Sequence, residues 1–263
     1  MVMFFLLRLA FWLCVVCILL PSSNKTTPTD AQIDASEAMT LATAAVSDVR
    51  GFCERQPDAC VTGGKVAVAL ESERRVREAG AVPATIGVLD GQIRVGLTAE
   101  ELERFDAGAR KVGGRDLAAC AVQGAVGATT VGGTLAVCRA AGIRFMGTGG
   151  LGGVHRGFPH PPDVSSDLAE LARTPALVVS AGIKSLLDVA ATAEVLETLG
   201  VPLLGFQTDE LPLFYAARGG PSLPARVESA NEAAEVARAH WKLGGAGILL
   251  ARPPDESLTA SSL

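Results

Sequence analysis

Hydrophobic residues from about Gly64 onward form short apolar runs that alternate with stretches of helical periodicity. The run KVAVALES predicts a strand ending at Glu71 and Ser72, and ERRVREAG predicts a short helix closed by Gly80. AVPATIGVLDGQIRVGL predicts two strands around a turn at Asp90. Further helices are predicted over 100–108 after a capping box, about 115–122, 130–141, 167–172, 184–199 and 231–243, and further strands over 144–146, 176–182, 201–207 and 246–251.

This alternation of strands and helices predicts an α/β fold, an α/β/α sandwich with a mostly parallel sheet. Right-handed crossovers would place helices on both faces of the sheet. Ligands of such sheets bind beyond the carboxyl ends of the strands. Glu71, Gly147 and Ala181 are each predicted to lie at such an end.

The amino-terminal part of the chain differs from the rest. Residues 2–20 are apolar apart from Arg8, and a polar segment rich in Ser, Thr and Pro continues to about residue 38. The pattern is typical of a signal peptide or signal anchor followed by a linker. The alternative is an unrelated leader on a soluble enzyme. We therefore divide the chain into a leader, 1–38, and a domain, 39–263.

Composition narrows the class of partner. The chain has 263 residues, 49% of them hydrophobic, and a net charge of −5. Because this charge provides no general attraction for phosphate backbones, we expect no nucleic-acid partner. Cys120 and Cys138 lie in Ala- and Val-rich helical segments and are predicted to be buried thiols.

A glycine-rich loop follows the strand predicted at 144–146. GTGGLG at 147–152 matches the dinucleotide-binding pattern, but the prolines that follow prevent the helix that such a site needs. A loop of this kind can still offer backbone N–H groups to one phosphate, with His155 and Arg156 adding polar and cationic contacts. The alternative is a flexible surface loop.

Lys184 and the segment from Asp163 to Asp167 are candidate reactive groups. Lys184 follows an apolar strand, where a less solvated amine would be nucleophilic; the alternative is a lysine that simply extends into solvent. The segment DVSSD places two carboxylates and two hydroxyls in one turn, a set that suits Mn²⁺ or Mg²⁺. The alternative for Ser165, Ser166 and Asp167 is helix capping. Glu71 is a candidate general acid, and its alternative is a solvated carboxylate.

Several runs, in this order and spacing, resemble the pseudouridine-5′-phosphate glycosidase family. The resemblance covers roughly residues 65–254 and rests on VALES, GAVPATIGVLDGQIRVGL, KVGGRDL, GATTV, GTGGLGGVHRG, DVSSDLAELA, SAGIKSLLD and LETLGVPLLGFQTDELPLFY. It implies an α/β/α sandwich, assembly as a homotrimer and a cytoplasmic location. The implied activity is hydrolysis of pseudouridine 5′-phosphate to uracil and ribose 5-phosphate.

The resemblance also implies a role for each matching position. Lys184 matches the lysine that attacks the anomeric carbon and forms a covalent intermediate, and Glu71 matches the proton donor. Asp163 matches the aspartate that binds Mn²⁺. The implied substrate contacts are Lys111, Val131, His155, Ser165, Ser166 and Asp167.

Two departures from the family pattern define an alternative. After Ser72 the family continues with a His-Gly-x-Pro-x-Pro-x-Asn segment that is missing here, and its carboxyl-terminal helical portion has no counterpart. The sequence therefore predicts either an active glycosidase or an incomplete family member. The latter would bind sugar phosphate without catalysis or only assemble with other subunits.

Overall fold

The computed structural model of the protein describes residues 69–106, 108–160 and 163–254. The predicted leader and the predicted strand before residue 69 lie outside these residues. Seven helices of the described part are α1 (69–78), α2 (Ala99–Leu102), α3 (Leu117–Val122), α4 (Val131–Ala141), α5 (Ser166–Leu171), α6 (Val189–Thr198) and α7 (Ala230–Lys242). None of the described helices is long and apolar enough to cross a bilayer.

The strands of the described residues form two sheets. The first, in the order β2-β1-β4-β3, contains β1 (Ile86–Leu89), β2 (Gln92–Val95), β3 (Arg110–Val112) and β4 (Gly127–Thr129). The second, in the order β5-β6-β9-β7-β8, is parallel throughout and contains β5 (Phe145–Thr148), β6 (Leu177–Ser180), β7 (Leu203–Phe206), β8 (Ala225–Val227) and β9 (Ile248–Ala251).

The five-stranded sheet has helices on both faces. On one face, Val178 and Leu249 pack with Leu168 of α5 and Leu196 of α6. On the other face, strand residues pack with α7; this cluster contains Leu177, Leu204, Ile248, Leu250, Ala233 and Ala237. Successive strand side chains point to opposite faces, so each buried strand supplies both clusters. The predicted α/β class with a mostly parallel sheet is confirmed.

Local signals in the sequence predicted several elements correctly. Asp90 (φ 49°) and Gly91 (φ 76°) form the turn between β1 and β2, as a two-residue hairpin requires. Thr98 and Glu101 form the predicted capping box of α2. The helix is shorter than predicted, because Phe105 turns away to pack on Gly87 of β1.

The strand predicted at KVAVALES is wrong over its described part, because residues 69–72 belong to α1. Glu71 forms ion pairs with Arg74 and Arg75, at the i,i+3 and i,i+4 spacings that stabilise helices. Glu73 is 6% exposed and accepts a hydrogen bond of 2.6 Å from Thr85 Oγ1. These contacts favour a helix over the strand that the apolar run indicates.

Three short strands and one helix boundary also differ from prediction. The sequence did not predict β3, β4 and β8, because each has three residues, too few to show an alternating pattern. The helix predicted from Lys184 begins only at Val189, where Asp188 accepts a hydrogen bond of 3.0 Å from Ala191 N.

Cys120 and Cys138 are buried free thiols, as predicted, and burial raises the pKa of Cys138.

Glu170 of α5 forms an ion pair with Arg139 of α4, which links the two helices. Its side chain is 3% exposed and binds Arg139 Nη1 at 3.0 Å and Arg173. Burial acts to raise the pKa of Glu170, but hydrogen bonds from Arg173 and Arg139 outweigh it and hold the pKa below its ordinary value. A carboxyl whose pKa is lower in the folded state stabilises the fold above its unfolded pKa. This stabilisation is lost as the pH falls through the folded pKa.

We expect Glu170→Gln to lower the free energy of unfolding at pH 7 by about 2 kcal/mol, because it removes charged hydrogen bonds. Urea unfolding at pH 7 and at pH 3 measures this, and the difference between the variant and the unmodified chain should shrink at pH 3. Glu194→Gln, on the exposed surface of α6, is the matched control. An equal loss at both pH values would contradict the electrostatic explanation.

Candidate active site

The glycine-rich loop after β5 connects the other segments of the candidate site. Leu151 forms a parallel bridge with Ile183, immediately before Lys184. Three residues later, Val154 forms an antiparallel bridge with Val164, beside Asp163. Predicted site residues far apart in the sequence therefore meet along a single loop.

Lys184 lies in a turn after β6, near the carboxyl end of that strand. Its N–H donates to Leu151 O at 3.3 Å, and its carbonyl accepts from Leu187 N at 3.0 Å. The side chain is exposed, so it can reach a ligand above the loop. The placement at a strand end was predicted correctly, whereas the helix start at Lys184 was wrong.

Ser180 holds the backbone on the strand side of Lys184. Its side chain is buried, and its Oγ lies 3.2 Å from Gly149 O, 2.9 Å from Gly182 O and 3.1 Å from Gly182 N. Gly182 has φ 103°, and a Cβ there would lie 1.9 Å from Pro212 O. The backbone conformation between β6 and Lys184 therefore depends on both Ser180 and Gly182.

Arg156 holds the other side of the Lys184 turn. Its Nη2 donates to Ser185 O at 3.0 Å and its Nε to Leu187 O at 3.5 Å. We expected this guanidinium to be available to a phosphate. In the structure it binds the backbone of the turn instead, so its immediate effect is to fix the loop to the Lys184 segment.

Asp163 and His155 form the exposed edge of the loop. His155 Nδ1 lies 3.7 Å from Asp163 Oδ2, and His155 N donates to Asp163 O at 2.9 Å. The described residues contain no group of three or more His, Cys, Asp or Glu side chains that could hold a metal. With a side chain 61% exposed, Asp163 fits an ion that keeps most of its water ligands, not an ion enclosed by protein ligands.

Ser165 and Asp167 are involved in capping and in joining backbone segments. Ser165 Oγ accepts from Asp167 N at 3.3 Å, so the capping alternative correctly describes this serine. Asp167 is 6% exposed, and its two oxygens accept from Gly132 N at 2.7 Å and Gly152 N at 3.2 Å. The carboxylate thus joins the start of α4 to the glycine loop.

Lys111 and Val131 lie on segments that reach the same junction. Lys111 is exposed on β3, and Val131 is the half-buried first residue of α4. Thr130 N donates to Val112 O at 2.9 Å, which joins the two segments. Ser166 Oγ lies 3.4 Å from the position of a Cβ on Gly113. Val131, Ser165 and Ser166 are therefore sequence neighbours of the residues that form the Asp167 junction, and Lys111 precedes the Val112 that joins β3 to the start of α4.

Glu71 is placed differently from the other predicted residues. It lies within α1, not at a strand end, and its described partners are Arg74 and Arg75 of the same helix. Hydrogen bonds from Arg74 and then Arg75 lower the pKa of Glu71 to about 2. A general acid at neutral pH needs a raised pKa, so this pairing opposes the predicted proton-donor role.

Thr192 and Phe214 support the site but were missed by sequence reasoning. Thr192 is fully buried; its Oγ1 accepts from Val154 N at 2.9 Å and donates to Asp188 O at 2.6 Å. Phe214 packs its ring on Gly149 and Gly150. Neither residue has a local sequence signal, because both act on segments distant along the chain.

Comparison with known proteins identifies the family. The family model described as indigoidine synthase A like protein matches residues 61–262. A second model, of a family of unknown function, matches residues 31–81. The chain belongs to the indigoidine synthase A-like family, and its curated relatives are named pseudouridine-5′-phosphate glycosidases.

Two curated relatives show the extent of the similarity. The pseudouridine-5′-phosphate glycosidase of Deinococcus radiodurans is 45% identical over 80% of this chain and 74% of its own length. That of Herpetosiphon aurantiacus is 50% identical over 71% of this chain and 63% of its own length.

Solved structures share the fold. An indigoidine synthase A-like protein from Thermotoga maritima has a TM-score of 0.68 at 38% identity, over 73% of this chain and 66% of its own. The prealnumycin C-glycosynthase AlnA, in complex with ribulose 5-phosphate, has a TM-score of 0.67 at 42% identity, over 73% and 64%. The chain thus spans about two thirds of the length of these relatives.

Asp167→Asn tests the junction. An amide keeps only one acceptor oxygen and would direct its NH₂ group toward the N–H of Gly132 or Gly152. We expect a loss of about 2 kcal/mol in the free energy of unfolding, measured by urea titration. The matched control, Asp163→Asn on the exposed carboxylate, should change it by less than about 0.5 kcal/mol. Equal values for the two variants would contradict the joining role of Asp167.

Proposed function

We propose that the chain is a pseudouridine-5′-phosphate glycosidase that releases uracil and ribose 5-phosphate through a covalent intermediate on Lys184. The supporting observation is the meeting of Lys184, Asp163 and the Asp167 junction along one glycine-rich loop. The names of the curated relatives support the substrate, and AlnA, a C-glycosynthase holding a five-carbon sugar phosphate, supports chemistry at a carbon–carbon glycosidic bond.

A carbon-linked uracil is difficult to remove, because there is no glycosidic oxygen to protonate. In the proposed reaction, the Lys184 amine forms a bond to C1′ while the bond from C1′ to the ring oxygen breaks, and that oxygen takes a proton. The nitrogen lone pair then forms an iminium as the C1′–C5 bond breaks, and C5 of uracil takes a proton. Water hydrolyses the iminium, which releases ribose 5-phosphate and restores the amine.

The glycine loop is the proposed binding surface for the substrate. The N–H groups of Gly152, Val154 and His155 already bind protein acceptors, so the loop would offer its remaining N–H groups to phosphate, with Lys111 as the proposed cation. Lys111, Val131, His155, Ser165 and Ser166 are the proposed substrate contacts. Asp167 acts indirectly in this proposal, because both its oxygens are bound to backbone N–H groups.

The proposed proton donor to uracil is Glu71, whose carboxylate pairs with Arg74 and Arg75 in the structure. Glu71 can donate only if it separates from Arg74 and Arg75, because a carboxyl with a pKa of about 2 is ionised at neutral pH. The role of Glu71 stays a prediction from family resemblance, as does assembly into a homotrimer.

Manganese is the proposed cofactor, with Asp163 as its protein ligand and His155 beside it. A divalent ion there would orient an oxygen of the substrate and the waters around it. The described residues fit a mainly water-coordinated ion, for which one carboxylate is a usual protein contribution.

Lys184→Ala tests the proposed nucleophile in the purified chain with pseudouridine 5′-phosphate and Mn²⁺. We expect uracil release from the unmodified chain and a loss of at least about 10⁴-fold in the variant, because the variant lacks the amine that forms the proposed covalent bond to C1′. Reduction with borohydride during turnover should add the mass of the sugar phosphate to the peptide containing Lys184. Lys242→Ala, an exposed lysine of α7, is the control and should retain activity.

No uracil release from the folded, unmodified chain would overturn the glycosidase proposal. Ribose 5-phosphate that still protects the chain against thermal unfolding would then support the alternative of a non-catalytic family member.

Asp163→Asn tests the metal site by binding, independently of activity. We expect the variant to bind Mn²⁺ at least about tenfold more weakly, since an amide is a poorer ligand than a carboxylate. Titration calorimetry and the electron paramagnetic resonance signal of free Mn²⁺ measure this. Asp209→Asn, an exposed carboxylate paired with Arg226, is the control. Unchanged Mn²⁺ affinity would remove Asp163 from the proposal.

A further inference from the structure

Phe214 has a backbone conformation that is unusual for a large side chain. Its φ is 66°, in the left-handed region that favours glycine. Its N–H donates to Ala181 O at 3.0 Å, and Leu213 forms an antiparallel bridge with Gly182. The segment containing Phe214 therefore runs beside the residues that lead to Lys184, and these contacts maintain the strained conformation.

The ring of Phe214 and the stem of Lys184 approach the same glycine. The position of a Cβ on Gly150 would lie 2.8 Å from Phe214 Cδ2 and 3.0 Å from Lys184 Cγ. Any side chain at Gly150 would displace one of the two. The position of a Cβ on Gly149 would likewise lie 2.9 Å from Phe214 Cε2. The lysine stem therefore lies beside an aromatic ring on a surface made of glycine backbone.

The identity of residue 214 is not explained by backbone preference or by the hydrophobic core. Glycine would adopt this φ without the backbone strain that a residue with a side chain carries there. Phe214 is half-buried and is not a member of the core clusters that the described residues form. Its closest aromatic neighbour, Tyr215, has a centroid 4.2 Å away and is itself exposed. The contacts of the ring with Gly149 and Gly150, beside Lys184, are what distinguish this position.

We propose that Phe214 is a positioning residue for Lys184. Its ring and Gly150 together confine the aliphatic stem, so that the amine is presented at one place above the glycine loop. The inference rests on the proposed role of Lys184 as nucleophile. Confinement of this kind increases rate because the reacting groups are already oriented, and displacement by about 1 Å can reduce rate about a hundredfold.

Phe214→Gly is the informative variant, because it removes the ring and also relieves the strained backbone. We expect kcat for uracil release to fall about a hundredfold, with KM changed less than about threefold because the phosphate and base contacts remain. Phe214→Tyr keeps the ring and should retain most of the rate. The rate of borohydride trapping of ribose 5-phosphate on Lys184 should follow the same order.

Gln207→Gly is the matched control for relief of strain. Gln207 also has a positive φ, 56°, but its side chain binds Glu228 O and belongs to the segment after β7. This variant should keep kcat and the trapping rate within about twofold. Thermal unfolding of all three variants checks that each is folded.

A second measurement separates this inference from the proposed reaction. In protein labelled with ¹³C-lysine, the ring current of Phe214 should displace the Cγ–Hγ resonance of Lys184, and Phe214→Gly should abolish the displacement. An identical resonance in both proteins would overturn the positioning role, as would an unchanged trapping rate in folded Phe214→Gly. A displaced resonance without any trapping by the unmodified chain would refute the covalent reaction while confirming the packing.

Discussion

The carboxylate of Asp167 is the interaction on which the candidate site depends. The side chain is buried, and each of its two oxygens accepts a backbone hydrogen bond. One comes from Gly132 N, in α4, which follows the four-stranded sheet. The other comes from Gly152 N, in the loop after β5 of the five-stranded sheet. Leaving a buried carboxylate without these donors would be costly, so the two segments are held together. The other site residues lie on segments attached to this connection.

The glycines of the loop follow from the same constraint. A Cβ on Gly152 would lie 2.4 Å from Ser165 Oγ and 2.6 Å from Asp167 Oδ2, and one on Gly153 would lie 2.3 Å from Thr192 Oγ1. The loop thus needs glycine because polar side chains approach its backbone from two helices. These glycines permit close approach of protein groups and do not open a helix, which agrees with the rejection of a dinucleotide site from the sequence.

The sequence predicted elements that are determined locally and missed those determined by distant contacts. The Asp90 turn, the Thr98 capping box and the parallel strands β6, β7 and β9 follow from short-range patterns. The helix containing Glu71 could not be predicted from its short apolar run, which has no clear period; its ion pairs with Arg74 and Arg75 favour the helix. Lys184 and Asp163 could be named as candidates from family resemblance, whereas the contacts around them could not be predicted.

The environment of Lys184 shows why such contacts escape sequence reasoning. Its backbone is bound by Leu151, its turn by Arg156 and its stem lies beside Phe214, so three separate segments determine one side chain. Each of these contacts depends on a local irregularity: a glycine loop, an arginine bound to carbonyls and a phenylalanine with positive φ. Irregularities of this kind concentrate where function needs a fixed geometry and the surrounding structure can maintain the strain. Their convergence on one lysine is therefore the strongest physical reason to place the chemistry there.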